Sequence, residues 1–106
     1  MTTFYQYHIT FEFRNGRRLE IMTNKFGVNK GPNSSSTYIW INDESVASLR
    51  SPAPMTDNNK ITLYYEGSPL PKLQNYYPTD WDLENENFQM IDKIIIDSNG
   101  RYKHES

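Results

Sequence analysis

Four carboxylates stand at every second position from Asp80 to Glu86, in the stretch YYPTDWDLENENF that runs from Tyr76 to Phe88, and no lysine or arginine lies among them. Paired carboxylates perform acid–base chemistry when two of them flank a cleft in different environments, one held protonated and the other ionised. Asp80, Asp82, Glu84 and Glu86 share a single polar tract, for which uniform solvation is the expectation. The rings beside them point to recognition. Tyr76, Tyr77 and Trp81 can supply anchor area while carboxylates steer a basic partner toward it.

Other reactive constellations do not assemble. The two histidines, His8 and His104, sit at opposite ends of the chain, and neither has a second ligand at helical or hairpin spacing, so no metal site is expected. The absence of cysteine excludes thiol catalysis, disulfides and thiolate metal sites together. Ser34, Ser35 and Ser36 lie in a polar loop with no histidine near them in sequence, and a nucleophilic serine needs a base. The glycines at 16, 27, 31, 67 and 100 are isolated turn formers and not a phosphate cradle. The expectation is a protein that is not an enzyme and needs no cofactor.

Charge distribution sharpens the choice of partner. Residues 1–53 hold six bases and four acids, while residues 54–106 hold five bases and nine acids. Such asymmetry gives the molecule faces of opposite sign. A small, cysteine-free chain with an acidic aromatic patch has the physical profile of an inhibitor or immunity protein that covers a basic partner, such as the cationic groove of a nuclease. Two alternatives stay open. Arg14, Arg17, Arg18, Lys25 and Lys30 lie in the first hairpin and the loop after it, near Tyr5, Tyr7 and Phe11, as in a small β-barrel that stacks nucleic-acid bases. Against that, the pI is about 5.6 and the three rings fall on the face assigned to the core. A glycan-binding module would instead use tyrosine and tryptophan platforms with asparagine and aspartate hydrogen bonds.

These side chains need elements to position them. For residues 79–88 a strand would align four like charges on one edge, which repel. A helix capped by Thr79 after Pro78 would put Asp80 and Asp82 in a first turn that favours anions, and would set Trp81 and Phe88 on one face. The helix is the expectation, and by itself it would account for the tract.

From Phe4 to Phe13 polarity alternates strictly, with Tyr5, Tyr7, Ile9, Phe11 and Phe13 on one face, which is a half-buried strand. The next strand begins at Arg17. A two-residue turn at Asn15-Gly16 would oppose Leu19 to Glu12, whereas a three-residue loop with Gly16 in the left-handed region pairs Phe11 with Leu19, Ile9 with Ile21 and Glu12 with Arg18. The second register is expected, with a G1 bulge at Gly16. The same logic at Ser98-Asn99-Gly100 pairs Asp97 with Arg101 and Ile96 with Tyr102, and sets His104 opposite Ile94.

Thr37–Ile41 and Lys60–Glu66 read as further strands, and NDES after Ile41 as the cap of a helical turn carrying Val46 and Leu49. Residues 24–36 and 51–59 are too rich in glycine, proline, asparagine and serine for regular structure and read as exposed loops, while residues 67–78 read as irregular. The whole, residues 1–106, is expected to form a single mainly β (or β-rich α+β) domain: a small antiparallel roll, barrel or sandwich with one or two short helical turns. No segment approaches the roughly 20 apolar residues of a membrane span, and the alternating N-terminal residues do not read as a signal peptide. A cytoplasmic protein without membrane attachment is the default expectation.

Overall fold

The computed structural model describes residues 2–30, 36–49, 62–97 and 102–105. In chain order the strands are β1 (Thr2–Tyr5), β2 (Tyr7–Phe13), β3 (Arg18–Thr23), β4 (Phe26–Lys30), β5 (Thr37–Ile41), β6 (Glu44–Leu49), β7 (Thr62–Pro69), β8 (Ile91–Asp97) and β9 (Tyr102–Glu105), with a 3-10 helix at Pro71–Tyr76. Seven of them form one antiparallel sheet in the order β3-β2-β8-β7-β6-β5-β4, and β1 and β9 form a separate two-stranded ribbon. The expected mainly β, antiparallel architecture is what the chain adopts, and its sheet is open.

The first hairpin follows from side-chain alternation. Ile9 faces Ile21, Phe11 faces Leu19 and Glu12 faces Arg18. Gly16 has φ +94°, its N–H donates to Phe13 O at 3.0 Å, and Phe13 N–H donates to Arg17 O at 2.8 Å, as the G1 bulge requires. Along β3, Leu19, Ile21 and Thr23 are buried and Arg18, Glu20 and Met22 exposed. Fully buried Ile9, Phe11, Ile39, Ile41, Leu49, Ile91 and Ile94 carry the core, each contributing roughly 1.5–3 kcal/mol of transfer free energy. The sheet curls to enclose them. Tyr7 of β2 and Phe26 of β4, far apart in strand order, bring their ring centroids to 5.5 Å.

Several expectations are corrected. The first strand is interrupted at Gln6, whose N–H donates to Asn24 Oδ1 at 2.8 Å, so β1 leaves the main sheet for the ribbon. Within 24–36, residues 26–30 are not loop but β4, paired without a break to β5. Local turn-forming composition is overruled there because Phe26 and Val28 alternate and pack against the core. The 51–59 loop lies outside the described residues. Asn42 and Asp43 do not cap a helical turn. At φ 53° and 67° they form the two-residue primed turn of a β-hairpin, and Val46 and Leu49 belong to β6. At the C-terminus, β8 is already paired on both edges, by β2 and β7, so β9 cannot fold back on it. Tyr102 instead faces Tyr5, and His104 faces Thr3.

Candidate functional site

The acidic tract is neither strand nor helix. Residues 79–86 form successive turns, and the helical turns of this region lie earlier, in the segment read as irregular, where Pro71 opens the 3-10 helix and Leu73 buries completely beneath it. An aromatic cluster holds the turns down. Phe13, at the end of β2, meets the rings of Tyr77, Trp81 and Phe88 edge-on at 5.7, 5.9 and 5.3 Å. Trp81 stacks on Phe88 at 4.7 Å and 11°, with Tyr77 tilted against both. Such pairs add about 0.5–1.5 kcal/mol each beyond burial. Trp81 and Phe88 therefore meet as the helix reading required, but through a chain reversal.

The four carboxylates are not equivalent, which corrects the expectation of uniform solvation. Asp82 Oδ1 accepts the backbone N–H groups of Glu84 and Asn85, both at 3.2 Å, and its Oδ2 accepts Asn85 Nδ2 at 2.7 Å. Asp82 thus performs the capping assigned to Thr79, in a turn closed by Glu86 N–H on Asp82 O at 3.0 Å. These hydrogen bonds, Asn85's side chain first, hold its carboxyl below the ordinary range. Glu86 is gripped by Arg17, with Nε to Oε1 at 2.6 Å and Nη2 to Oε2 at 3.1 Å, and this bond lowers its pKa. Asp80 and Glu84 are left on the exposed surface.

Beside Glu84 runs an open groove of about 580 Å³ between the 3-10 helix and the turns, lined by Leu70, Pro71, Gln74, Tyr77, Leu83 and Glu84 among others. Leu83 stands 48% exposed, the more exposed of the two large hydrophobic side chains, with Met22, that reach solvent in this way among the described residues. Of the expected anchors, Tyr77 and Trp81 are half-buried against the core. Tyr76 is half-buried too, and its hydroxyl accepts Asn42 Nδ2 at 3.2 Å. Burial pushes the Tyr77 hydroxyl up to about 12, and that hydroxyl has no hydrogen-bond partner among the described residues. The structure thus brings Tyr77, Asp82, Trp81, Glu84 and Glu86 to one end of the sheet and adds Leu83 and Gln74, which the sequence reading passed over. An isolated leucine inside the charged run DWDLENEN was the available signal for Leu83.

Three of the five basic residues of the alternative reading lie beside carboxylates. Arg17 is engaged by Glu86, Arg18 Nη2 lies 4.0 Å from Glu12, and Lys25 pairs with Asp43. Arg14 is exposed at the hairpin tip, its N–H donating to Met90 O at 3.1 Å, and Lys30 ends β4. His8 Nε2 contacts Glu20 Oε1 at 2.9 Å. Among the described residues no group of three or more His, Cys, Asp or Glu could hold a metal ion, and no helix is long and apolar enough to cross a membrane. A second cleft, about 460 Å³, opens over Gly27 between Phe26, Trp40, Lys25 and Asp43.

No family model matches this chain, and neither a curated protein nor a solved structure shows significant similarity to it.

Proposed function

We propose that this protein is a non-catalytic binding protein of the inhibitor or immunity type, docking on a basic protein partner through the groove beside Leu83. The observation that carries this reading is the solvent-exposed Leu83 next to exposed Glu84 at the rim of the groove. An apolar side chain at 48% exposure serves as an anchor once covered, and the adjacent carboxylates favour an arginine- or lysine-bearing surface. Tyr77 and Phe88 line the same groove as Leu83, and the ion-paired Glu86 and capping Asp82 brace the turn that presents it. Internal pairing of Arg17, Arg18 and Lys25 weighs against a phosphate-dominated surface, for which cations must be free to displace counterions. An immunity-type role fits a cytoplasmic setting and calls for no cofactor.

The test is capture of a partner from the native host on immobilised wild-type protein, alongside a Leu83→Ala, Glu84→Gln variant. Folding stability of the variant stays within roughly 0.5 kcal/mol, since both side chains are exposed. Glu84→Gln alone slows association, increasingly so at low salt, and Leu83→Ala speeds dissociation. A basic protein retained equally by wild type and variant places the interface elsewhere.

A further inference from the structure

At the tip of the first hairpin, Asn15 is followed by Gly16, and both residues are exposed. A glycine has no Cβ to crowd its own nitrogen, so in such a pair that nitrogen can reach the preceding carboxamide. Among the described residues this is the one asparagine so placed, since Asn24, Asn29, Asn42, Asn75, Asn85 and Asn87 each precede a residue with a side chain.

Two hydrogen bonds of the turn act on these groups in opposite senses. Arg17 N–H donates to Asn15 Oδ1 at 2.9 Å, which draws electron density from Cγ and stabilises negative charge gathering on that oxygen. Gly16 N–H donates to Phe13 O at 3.0 Å, which occupies the nitrogen and fixes its plane. The carboxamide is thus activated while its attacker is held. Nothing lies within 4 Å of where a Cβ on Gly16 would stand, so the turn has room for a ring. The restraint is kept closed from outside the turn, by Glu86 on Arg17 at 2.6 and 3.1 Å and by Met90 O on Arg14 N–H at 3.1 Å.

We propose that Asn15 is a site of spontaneous deamidation, gated by the Arg17–Glu86 clasp. When the tip opens locally, the Gly16 nitrogen gives its proton to solvent base and attacks Asn15 Cγ. The new C–N bond closes a succinimide, the bond from Cγ to Nδ2 breaks, and Nδ2 takes up a proton and leaves as ammonia. Water then opens the ring. Opening at one carbonyl yields aspartate, which keeps an acceptor for Arg17 N–H; opening at the other yields isoaspartate, whose main chain runs through Cβ and carries an extra atom that the G1 bulge has no place for. The reaction needs no partner, so it stands or falls separately from docking at Leu83.

Peptide mapping of the folded full chain, held at mildly alkaline pH, tests it, with the fragments that carry Asn15 and Asn99 scored apart. In wild type Asn15 converts, more slowly than in the same chain unfolded in urea and faster than Asn85 and Asn87 of the folded chain. Glu86→Gln and Arg17→Ala each speed that conversion by roughly two- to fivefold, the factor by which an exposed ion pair holds such a tip closed. Ile39→Val lowers global stability from the buried core at β5 and leaves the rate unchanged. Asn15 intact in the folded chain while the unfolded chain converts overturns the proposal. So does one rate shared by wild type and both clasp variants, or an Ile39→Val rate that rises as much as theirs.

Discussion

Arg17 and Glu86, from opposite halves of the chain, meet in a two-pronged ion pair at 2.6 and 3.1 Å that fastens the tip of the first hairpin to the acidic turn. Arg14 N–H bonded to Met90 O is the second point of that fastening. Both side chains of the pair reach solvent, so its strength depends on salt.

The pair has a pH signature. Glu86 has a lowered pKa in the fold, chiefly from the Arg17 hydrogen bond. Its contribution is complete above the ordinary carboxylate pKa and is lost as pH falls through the lowered folded value. Acid unfolding of Arg17→Ala and Glu86→Gln, each measured at low and high salt, is therefore shallower in that window than for wild type. The double variant matches either single one if the pair acts as a unit.

Tyr77 predicts the opposite limb. Its buried hydroxyl titrates near 12, above an unfolded value of 10.0. The unfolded chain loses this proton first, so the Tyr77 contribution is intact below pH 10 and disappears as pH rises through 12. Tyr77→Phe removes that alkaline component and leaves neutral-pH stability unchanged or raised by up to about 1 kcal/mol, because the lost hydroxyl has no hydrogen-bond partner among the described residues. Tyrosinate absorbance and denaturant titrations at both pH values measure the two effects.

Gly67 is a packing constraint. A Cβ there would lie 2.7 Å from Leu49 Cδ2 and 3.1 Å from Ser48 O, and Leu49 is only 1% exposed. Gly67→Ala lowers stability by about 1–3 kcal/mol through overpacking. Gly27→Ala, whose Cβ would meet Trp40 Cβ at an ordinary contact distance of 3.9 Å, is the mild comparison. Equal urea midpoints for these two variants would show that β6 and β7 pack less tightly than the structure has them.

Legibility from sequence followed the range of the forces involved. The first hairpin was readable because register, turn chemistry and side-chain alternation agree within a short stretch, down to Gly16 and the Phe11–Leu19 pair. β4 and the partner of β9 were not. Phe26-Gly27-Val28 has weak local preference and becomes a strand because β5 lies beside it, and β9 is displaced because β2 already occupies the edge of β8. In the site, the grouping of acids and rings was visible, but their division of labour was not. Whether a carboxylate caps a turn, as Asp82 does, or pairs with a distant arginine, as Glu86 does, depends on partners that only the fold brings near.

The seam between β2 and β8 has a kinetic consequence. It joins His8 to Asp97 and Ile9 to Ile96, on strands far apart in the chain that lie side by side inside the sheet. Loop closure over that span must precede the contacts that reward it, which places this protein among slow folders for its size. During synthesis the β2–β3 hairpin emerges early and waits with one edge open until Ile91–Asp97 leaves the ribosome. A nascent chain stalled before Ile91 therefore presents an unpaired apolar strand, and chaperone or aggregation demand should fall sharply once β8 is available.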